Sequence, residues 1–244
     1  MTNSNTVPPT TKEAQYQRLL DIDDQVGRSK LGLMMNQTWH DDPRRLGFTL
    51  ARYKFVAKMF DGWDEVLEVG CGDAFPSRIV QQAVKRLSVC DFDQTFIDDI
   101  NSRAEVDWPF AGVFRHDVLD GPPPGRWRGI YALDVLEHIQ PELQHRFLGH
   151  LVDSLDPQGS LIIGMPSLES QAYASPISKE GHVNCQTLEQ LRATMAEHFH
   201  TVFVFSMNDE VLHVGYGRMA QYLLAIGCGP RCPPALESGG AGNR

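Results

Sequence analysis

Residues 66–73 read V-L-E-V-G-C-G-D. A carboxylate, Glu68, stands among strand-type apolar residues, and Gly70, Cys71 and Gly72 follow directly. Glycine lets a ligand approach the main chain and permits turns that a Cβ blocks. At the carboxyl end of a strand in an open α/β sheet, such a pair lines a ligand-binding crevice. A dinucleotide wants G-x-G-x-x-G there, to cradle its pyrophosphate. Here Phe75 stands at the third glycine position, and Glu68 and Asp73 would crowd a pyrophosphate with like charge. A cationic nucleoside without phosphate gains from the same acids. Two histidines outside the glycine segment, His182 in G-H-V-N (181–184) and His138 in L-E-H (136–138), can remove a proton near neutral pH.

The pattern around these residues alternates strand and helix. Strand-type segments lie at 66–69, 87–90, 113–116, 130–133 and 161–165, with further strands at 202–205 and 211–214. Helical spacing predicts helices over 46–60, 77–85, 94–103, 143–155 and 187–198, the last with Thr187 as N-cap. Asp120-Gly-Pro-Pro-Pro-Gly125 is a turn, because three prolines forbid helix and ladder. A short helix over 218–226 is expected before a Gly- and Pro-rich tail. This alternation predicts an α/β fold, a doubly wound, mostly parallel seven-stranded sheet with one antiparallel strand. The expected organisation is a disordered tail over 1–15, an N-terminal helical cap over 16–62, a single α/β domain over 63–227 and a C-terminal tail over 228–244. Within the cap, residues 36–45 carry aromatic, acidic and basic groups that suit a lid, with Trp39, His40 and Arg52 as lining candidates and surface packing as the plainer alternative. Residues 207–210 form a rim loop or a hairpin turn.

The chain has 244 residues and a formal charge of −9. Net acidity argues against general binding to nucleic acid. No segment is long and apolar enough to span a membrane, and the polar start MTNSNTVPPTTKEAQ lacks an apolar signal core, so a cytoplasmic protein is expected. Five scattered cysteines, including the C-x3-C pair Cys228 and Cys232, make no disulfide framework or zinc site by spacing. No histidine pair has the i, i+4 helical spacing with an acid partner, so no metal requirement is expected.

V-L-E-V-G-C-G-D resembles motif I of the class I S-adenosylmethionine-dependent methyltransferases, which have a Rossmann-like fold. Further landmarks follow in order: V-C-D-F-D (89–93), F-R-H-D-V (114–118), A-L-D-V-L-E-H-I (132–139) and L-D-P-Q-G-S-L-I-I (155–163). The chain departs from the pattern at Ala74, where a third glycine is common, and at Gln158, in place of a glycine. The resemblance implies S-adenosylmethionine as cofactor, held by Glu68, Gly70, Cys71, Gly72, Asp91, Phe92, Asp117, Val118 and Asp134. By that resemblance Asp91 takes the ribose hydroxyls and Phe92 packs beside the adenine. Asp117 and the Val118 main chain meet the adenine amino group, and Asp134 lies near the transferred methyl. Glu68 would accept hydrogen bonds from backbone N–H groups of the loop, its charge favouring the cationic cofactor. The segment holding His182 would form the acceptor wall. His182 is then the first candidate base and His138 the second, with a structural or capping role as the alternative for each. The implied activity is methyl transfer to a small-molecule or glycan-type acceptor at oxygen, as in ubiquinone-type and sugar-modifying O-methyltransferases. The alternatives are a protein or RNA methyltransferase and an inactive binding module of the same fold, with an NAD enzyme more remote.

Overall fold

The computed structural model describes residues 9–103 and 108–231. Positions 1–8 and 232–244 of the two expected tails, Cys232 among them, lie outside the described residues. Three helices, α1 (Gln17–Val26), α2 (Leu33–Asp41) and α3 (Arg44–Met59), precede the sheet. Then come β1 (Glu65–Val69), α4 (Arg78–Gln81), β2 (Arg86–Asp91), α5 (Gln94–Arg103), β3 (Gly112–Arg115) and β4 (Trp127–Leu133). The chain continues through α6 (Gln144–Asp153), β5 (Leu155–Pro166), α7 (Pro176–Gly181), α8 (Leu188–His198), β6 (Phe199–Asn208), β7 (Val211–His213) and β8 (Tyr222–Pro230). Eight strands form one sheet in the order β3-β2-β1-β4-β5-β8-β6-β7. Strands β1 to β5 are mutually parallel, and β8 slots antiparallel between β5 and β6. The strand order reverses between β1 and β4, so the crevice expected of such sheets opens there.

Both faces of the sheet are buried. In β4, Ile130 and Ala132 face α6 and α8 through Phe147, Leu148, Leu151, Leu191 and Met195. Tyr131 and Leu133 point the other way, toward Tyr53, Val56 and Phe60 of α3 and its C-cap, and toward Val80 and Ile100. Continuous apolar strands are the sequence mark of such two-sided burial. The sharpest departure from expectation follows from this. Residues 218–226 are not a helix. Gly217–Met219 form one 3-10 turn, and Tyr222 onward runs as β8, buried through Ile226. A strand covered on both faces shows no alternation, so its apolar run cannot be told from a buried helix by period alone. Cys228 to Pro230, expected in the tail, are the last residues of β8. Gly227 is required there, because a Cβ would lie 2.3 Å from the Phe199 ring.

Smaller differences have local causes. The helix expected over 77–85 contracts to Arg78–Gln81. The chain passes from α6 into β5 through Ser154, and Asp156-Pro-Gln-Gly159 lies within the strand. α2 was not foreseen as a helix. Thr187 does cap α8, in a full capping box with Gln190. No helix among the described residues is long and apolar enough to cross a membrane.

Candidate active site at the switch point

The glycine loop after β1 is shaped by main-chain geometry. Gly70 and Gly72 have φ of 71° and 52°, the left-handed region that favours glycine. A Cβ on Gly70 would lie 2.4 Å from Val135 Cγ2, so this loop packs directly on the segment after β4. Ala74, where a third glycine is common in the resembled motif, also has positive φ, 52°. The loop is tied to the end of β2. Gly70 and Cys71 N–H groups donate to the Cys90 carbonyl at 2.9 and 3.1 Å, and Gly72 N–H donates to Asp91 Oδ2 at 2.9 Å. Asp91 Oδ1 accepts from Asp93 N–H at 2.9 Å. Asp91 is thus buried and oriented by two backbone donors. Each carboxylate oxygen keeps further acceptor capacity for a ligand hydroxyl.

Glu68 departs from its expected role. It is fully buried, and its two oxygens accept from the hydroxyls of Tyr53 (2.7 Å) and Tyr131 (2.6 Å), not from the loop's N–H groups. Burial pushes its carboxyl up to about 7, against the hydroxyls of Ser77, Tyr131 and Tyr53, which favour the charged form. The physical reason is position. Residue 68 points to the α3 side of β1, where aromatic hydroxyls and not loop amides come within reach. Its task here is to lock α3 to β1, and a charge that neutralises near pH 7 attracts a cationic ligand only weakly.

A cavity of about 1020 Å³ opens beyond the loop. Gly70, Cys71, Gly72 and Asp73 line one side, and Asp134, Glu137, His138 and His182 another. The N-terminal helices roof it. Asp73 Oδ2 accepts from Met35 N–H at 2.8 Å, in the first turn of α2, and Gly32 at the helix N-cap is required because a Cβ would meet Asp73 at 2.3 Å. Met34, Met35 and Thr38 line the cavity. Trp39 and His40, named as lining candidates, are exposed on the outer side of α2, as helical period demands once 34, 35 and 38 face inward. Arg52 does line the cavity. Its Nη1 lies 3.0 and 2.8 Å from the two Asp134 oxygens, and its guanidinium stacks over Tyr222 at 3.8 Å. Asp134 itself has φ of 57°, a strained conformation for a non-glycine residue. Asn208, at the end of β6, and Asp209, in the turn before β7, complete the rim. A second groove of about 930 Å³, between α3 and β7, shares no residue with this cavity.

The far corner of the cavity brings distant histidines together. His138 ends a 3-10 turn after β4, and His182 caps α7. Their rings meet edge-on, with centroids 5.2 Å apart. His138 Nδ1 lies 2.9 Å from the Gly181 carbonyl, and His182 Nδ1 lies 2.9 Å from Gln171 Oε1. Burial, and next the neighbouring His138, hold the His182 imidazole below its ordinary value, opposed by Asp134. Glu137 adjoins the pair, fully buried, with neither oxygen accepting a hydrogen bond from another residue. Burial, then the charge of Asp134, pushes its carboxyl well up. The expectation of no metal ligands rested on helical spacing, which does not register groups gathered from separate segments; Glu137, His138 and His182 form such a cluster. Glu137 itself was missed, although it stood beside His138 in L-E-H.

The other sequence candidates lie at the ends of β2 and β3. Phe92 is 65% exposed just after Asp91, open to a flat partner. Asp117 is half-buried, with Oδ1 accepting from Leu119 N–H at 2.8 Å. Val118 is buried in the core, and its carbonyl is engaged by His150 Nδ1, so only its remaining main chain could meet a ligand. Whether a sulfonium nucleoside fits can be judged from the cradle. Two glycines at positive φ leave room beside the main chain, Asp91 offers a bidentate acceptor, and Asp73 and Asp134 add negative charge. This donor set suits S-adenosylmethionine and opposes a pyrophosphate.

A family model described as a methyltransferase domain matches residues 17–201. No curated sequence gave a match. Among solved structures, the N-methyltransferase NodS from Bradyrhizobium japonicum WM9 in complex with S-adenosyl-L-homocysteine is 18% identical, over 86% of this chain and 97% of that one, with a TM-score of 0.57. A SAM dependent methyltransferase from Archaeoglobus fulgidus is 17% identical over 80% and 98%, with a TM-score of 0.60. The CurJ carbon methyltransferase is 15% identical over 79% and 57%, with a TM-score of 0.58. At these identities the likeness speaks for the fold, and the family match speaks for the chain. The chain belongs to the methyltransferase-domain family, with the fold of S-adenosylmethionine-dependent methyltransferases such as these.

Proposed function

We propose that this methyltransferase acts on an oxygen of a small-molecule or glycan-type acceptor bound in the cavity at the switch point. The observation that carries the reading is one cavity lined at one end by Gly70 to Asp73 and at the other by His138 and His182. Its volume of about 1020 Å³ suits a cofactor and a compact acceptor together. Proteins named as N-methyltransferase and carbon methyltransferase share this fold, so the acceptor atom must be argued from this chain's own groups. A hydroxyl has to lose a proton, and an imidazole pair is the chemistry that removes one.

When bound, S-adenosylmethionine supplies a methyl group activated by a sulfonium. The chain's residues do the rest. Gly70 and Gly72 admit the ligand against the main chain, Asp91 takes its ribose hydroxyls, and Phe92, Asp117 and the main chain of Val118 hold its base. Arg52 fixes the Asp134 carboxylate, which faces the cationic end. α2 and α3 exclude water from above. His182, with Nδ1 held by Gln171 and Nε2 left for substrate, is the first choice for the base; His138, held by Gly181, is the second.

Calorimetry with S-adenosylhomocysteine and with NAD tests the cofactor assignment: tight binding of the first and none of the second is expected. Binding of NAD alone would end the reading. Radiolabelled methyl transfer into fractionated extract then identifies the acceptor class. His182→Ala is expected to keep the affinity for S-adenosylhomocysteine and lose turnover by about 100-fold or more. Unchanged turnover removes His182 from the reaction.

A further inference from the structure

We propose that the outer face of α3 is a homodimer interface, on which a second copy of this chain packs its own α3 antiparallel about a two-fold axis. The surface is the groove of about 930 Å³ that shares no residue with the cofactor cavity.

The helix has two sides with different tasks. Val56 points into the core, and Arg52 and Tyr53 line the cavity. Helical period sets Gly47, Leu50, Ala51, Lys54 and Lys58 on one stripe opposite Val56, and all five line the groove. On its flanks Ile79 and Ala83, in and just after α4, and Leu212 of β7 are only half-buried. Farther out, Phe203 is 53% exposed, on the α3 side of β6 that strand period assigns to Phe205 and Met207. An apolar surface that runs on from a helix to a neighbouring strand marks an interaction site better than scattered single residues do.

Charge names the occupant. Lys54, Lys58, Asp61 and Glu210 border the groove, and none of them forms an ion pair with a described residue. Glu210 lies against the N-terminal half of α3, with Oε1 3.0 Å from the place where a Gly47 Cβ would stand. Lys58 lies about 16 Å farther along the helix by its rise per residue. An antiparallel copy brings residue 47 opposite residue 58, so Glu210 of each copy meets Lys58 of the other. The same register sets Asp61 beside Arg44, whose charge is shared with Asp42. A parallel copy would instead set like charges side by side. Gly47 and Ala51 are small enough for the two helices to approach to about 8–10 Å. Near the axis, the aliphatic stem of Lys54 covers Ala51 of the other copy while its ammonium stays in water. α3 is about 24 Å long. With its two flanks, it has the extent of a standard stable interface, about 800 Å² per partner. Pairing would also brace the helix that carries Arg52 over the cavity.

The test is sedimentation equilibrium of the full chain over a wide range of loading concentration. A monomer–dimer equilibrium is expected, with no larger species. Lys58→Glu and Glu210→Lys should each weaken the dimer at least about 10-fold, because each sets like charges opposite one another twice. The double variant Lys58→Glu/Glu210→Lys pairs the swapped charges again and should return to within about 3-fold of the parent. Arg192→Glu, on the exposed face of α8 across the sheet, should change nothing. A monomer at every concentration, a dimer indifferent to both single changes, or a double variant that fails to recover overturns the interface. If Glu210→Lys does not fold by circular dichroism, Lys58→Glu and Leu50→Glu decide, and both must weaken the dimer. The measurement involves neither cofactor nor acceptor, so its failure leaves the proposed function standing.

Discussion

An Asp91→Ala variant is expected to bind S-adenosylhomocysteine about 100-fold more weakly than the parent. Two losses add up. The Asp91 carboxylate holds Gly72 N–H at 2.9 Å and Asp93 N–H at 2.9 Å, so it sets the shape of the loop before any ligand arrives. It is also the acceptor proposed for the ribose hydroxyls. A hydrogen bond to a charged group contributes about 1.5–3 kcal/mol, and 100-fold in affinity is about 2.7 kcal/mol. Asp91→Asn keeps one acceptor oxygen and should fall between parent and alanine. Calorimetry at a temperature well below each variant's melting point measures the series. Equal affinities across it would remove Asp91 from the cofactor site, whatever happened to the melting points.

The second large effect concerns stability and pH. The Glu68 carboxyl is raised to about 7 in the folded chain, from an ordinary 4.5. A group with a raised folded value contributes stability fully present below about pH 4.5, and that stability is lost as pH rises through about 7. The loss across this window amounts to about 3 kcal/mol. Glu68→Gln stays neutral throughout, and its amide can remain among the Tyr53 and Tyr131 hydroxyls, which accept as well as donate. Relative to the parent, the glutamine variant should therefore gain about 2–3 kcal/mol between pH 5 and pH 8. Urea unfolding of both proteins at the two pH values gives this double difference, in which other titrating groups cancel. Parallel pH profiles would show that Glu68 is not the group responsible.

Both effects start from residues singled out by type and spacing, yet their physics was visible to different degrees. Asp91 could be placed from its position at the end of a strand. Glu68 could be recognised as an acid in an apolar strand, but its partners could not. Tyr53 lies on α3 and Tyr131 on β4, and no local pattern links either to residue 68. Arg52, which secures Asp134 and stacks on Tyr222 of β8, belongs to the same class. The misassignment of 218–226 has a related origin. Burial on both faces erases the period-two signal, and only pairing of β8 with β5 and β6 identifies the strand.

By itself the sequence determined the parts of this enzyme that depend on neighbours along the chain. These are the alternation of strands and helices, the two glycines that adopt the loop's left-handed main-chain angles at least cost, and the acids at the strand ends. Those features obey local sterics and periodicity, which are written within a few residues. Only the tertiary structure decided which side chains share a space. The roof made by α2 over the glycine loop, the hydroxyl pair around Glu68, and the meeting of Glu137 and His138 with His182 all arise from packing between segments far apart in sequence. Hydrophobic burial drives that packing without direction, so the contacts it produces leave no regular spacing in the chain.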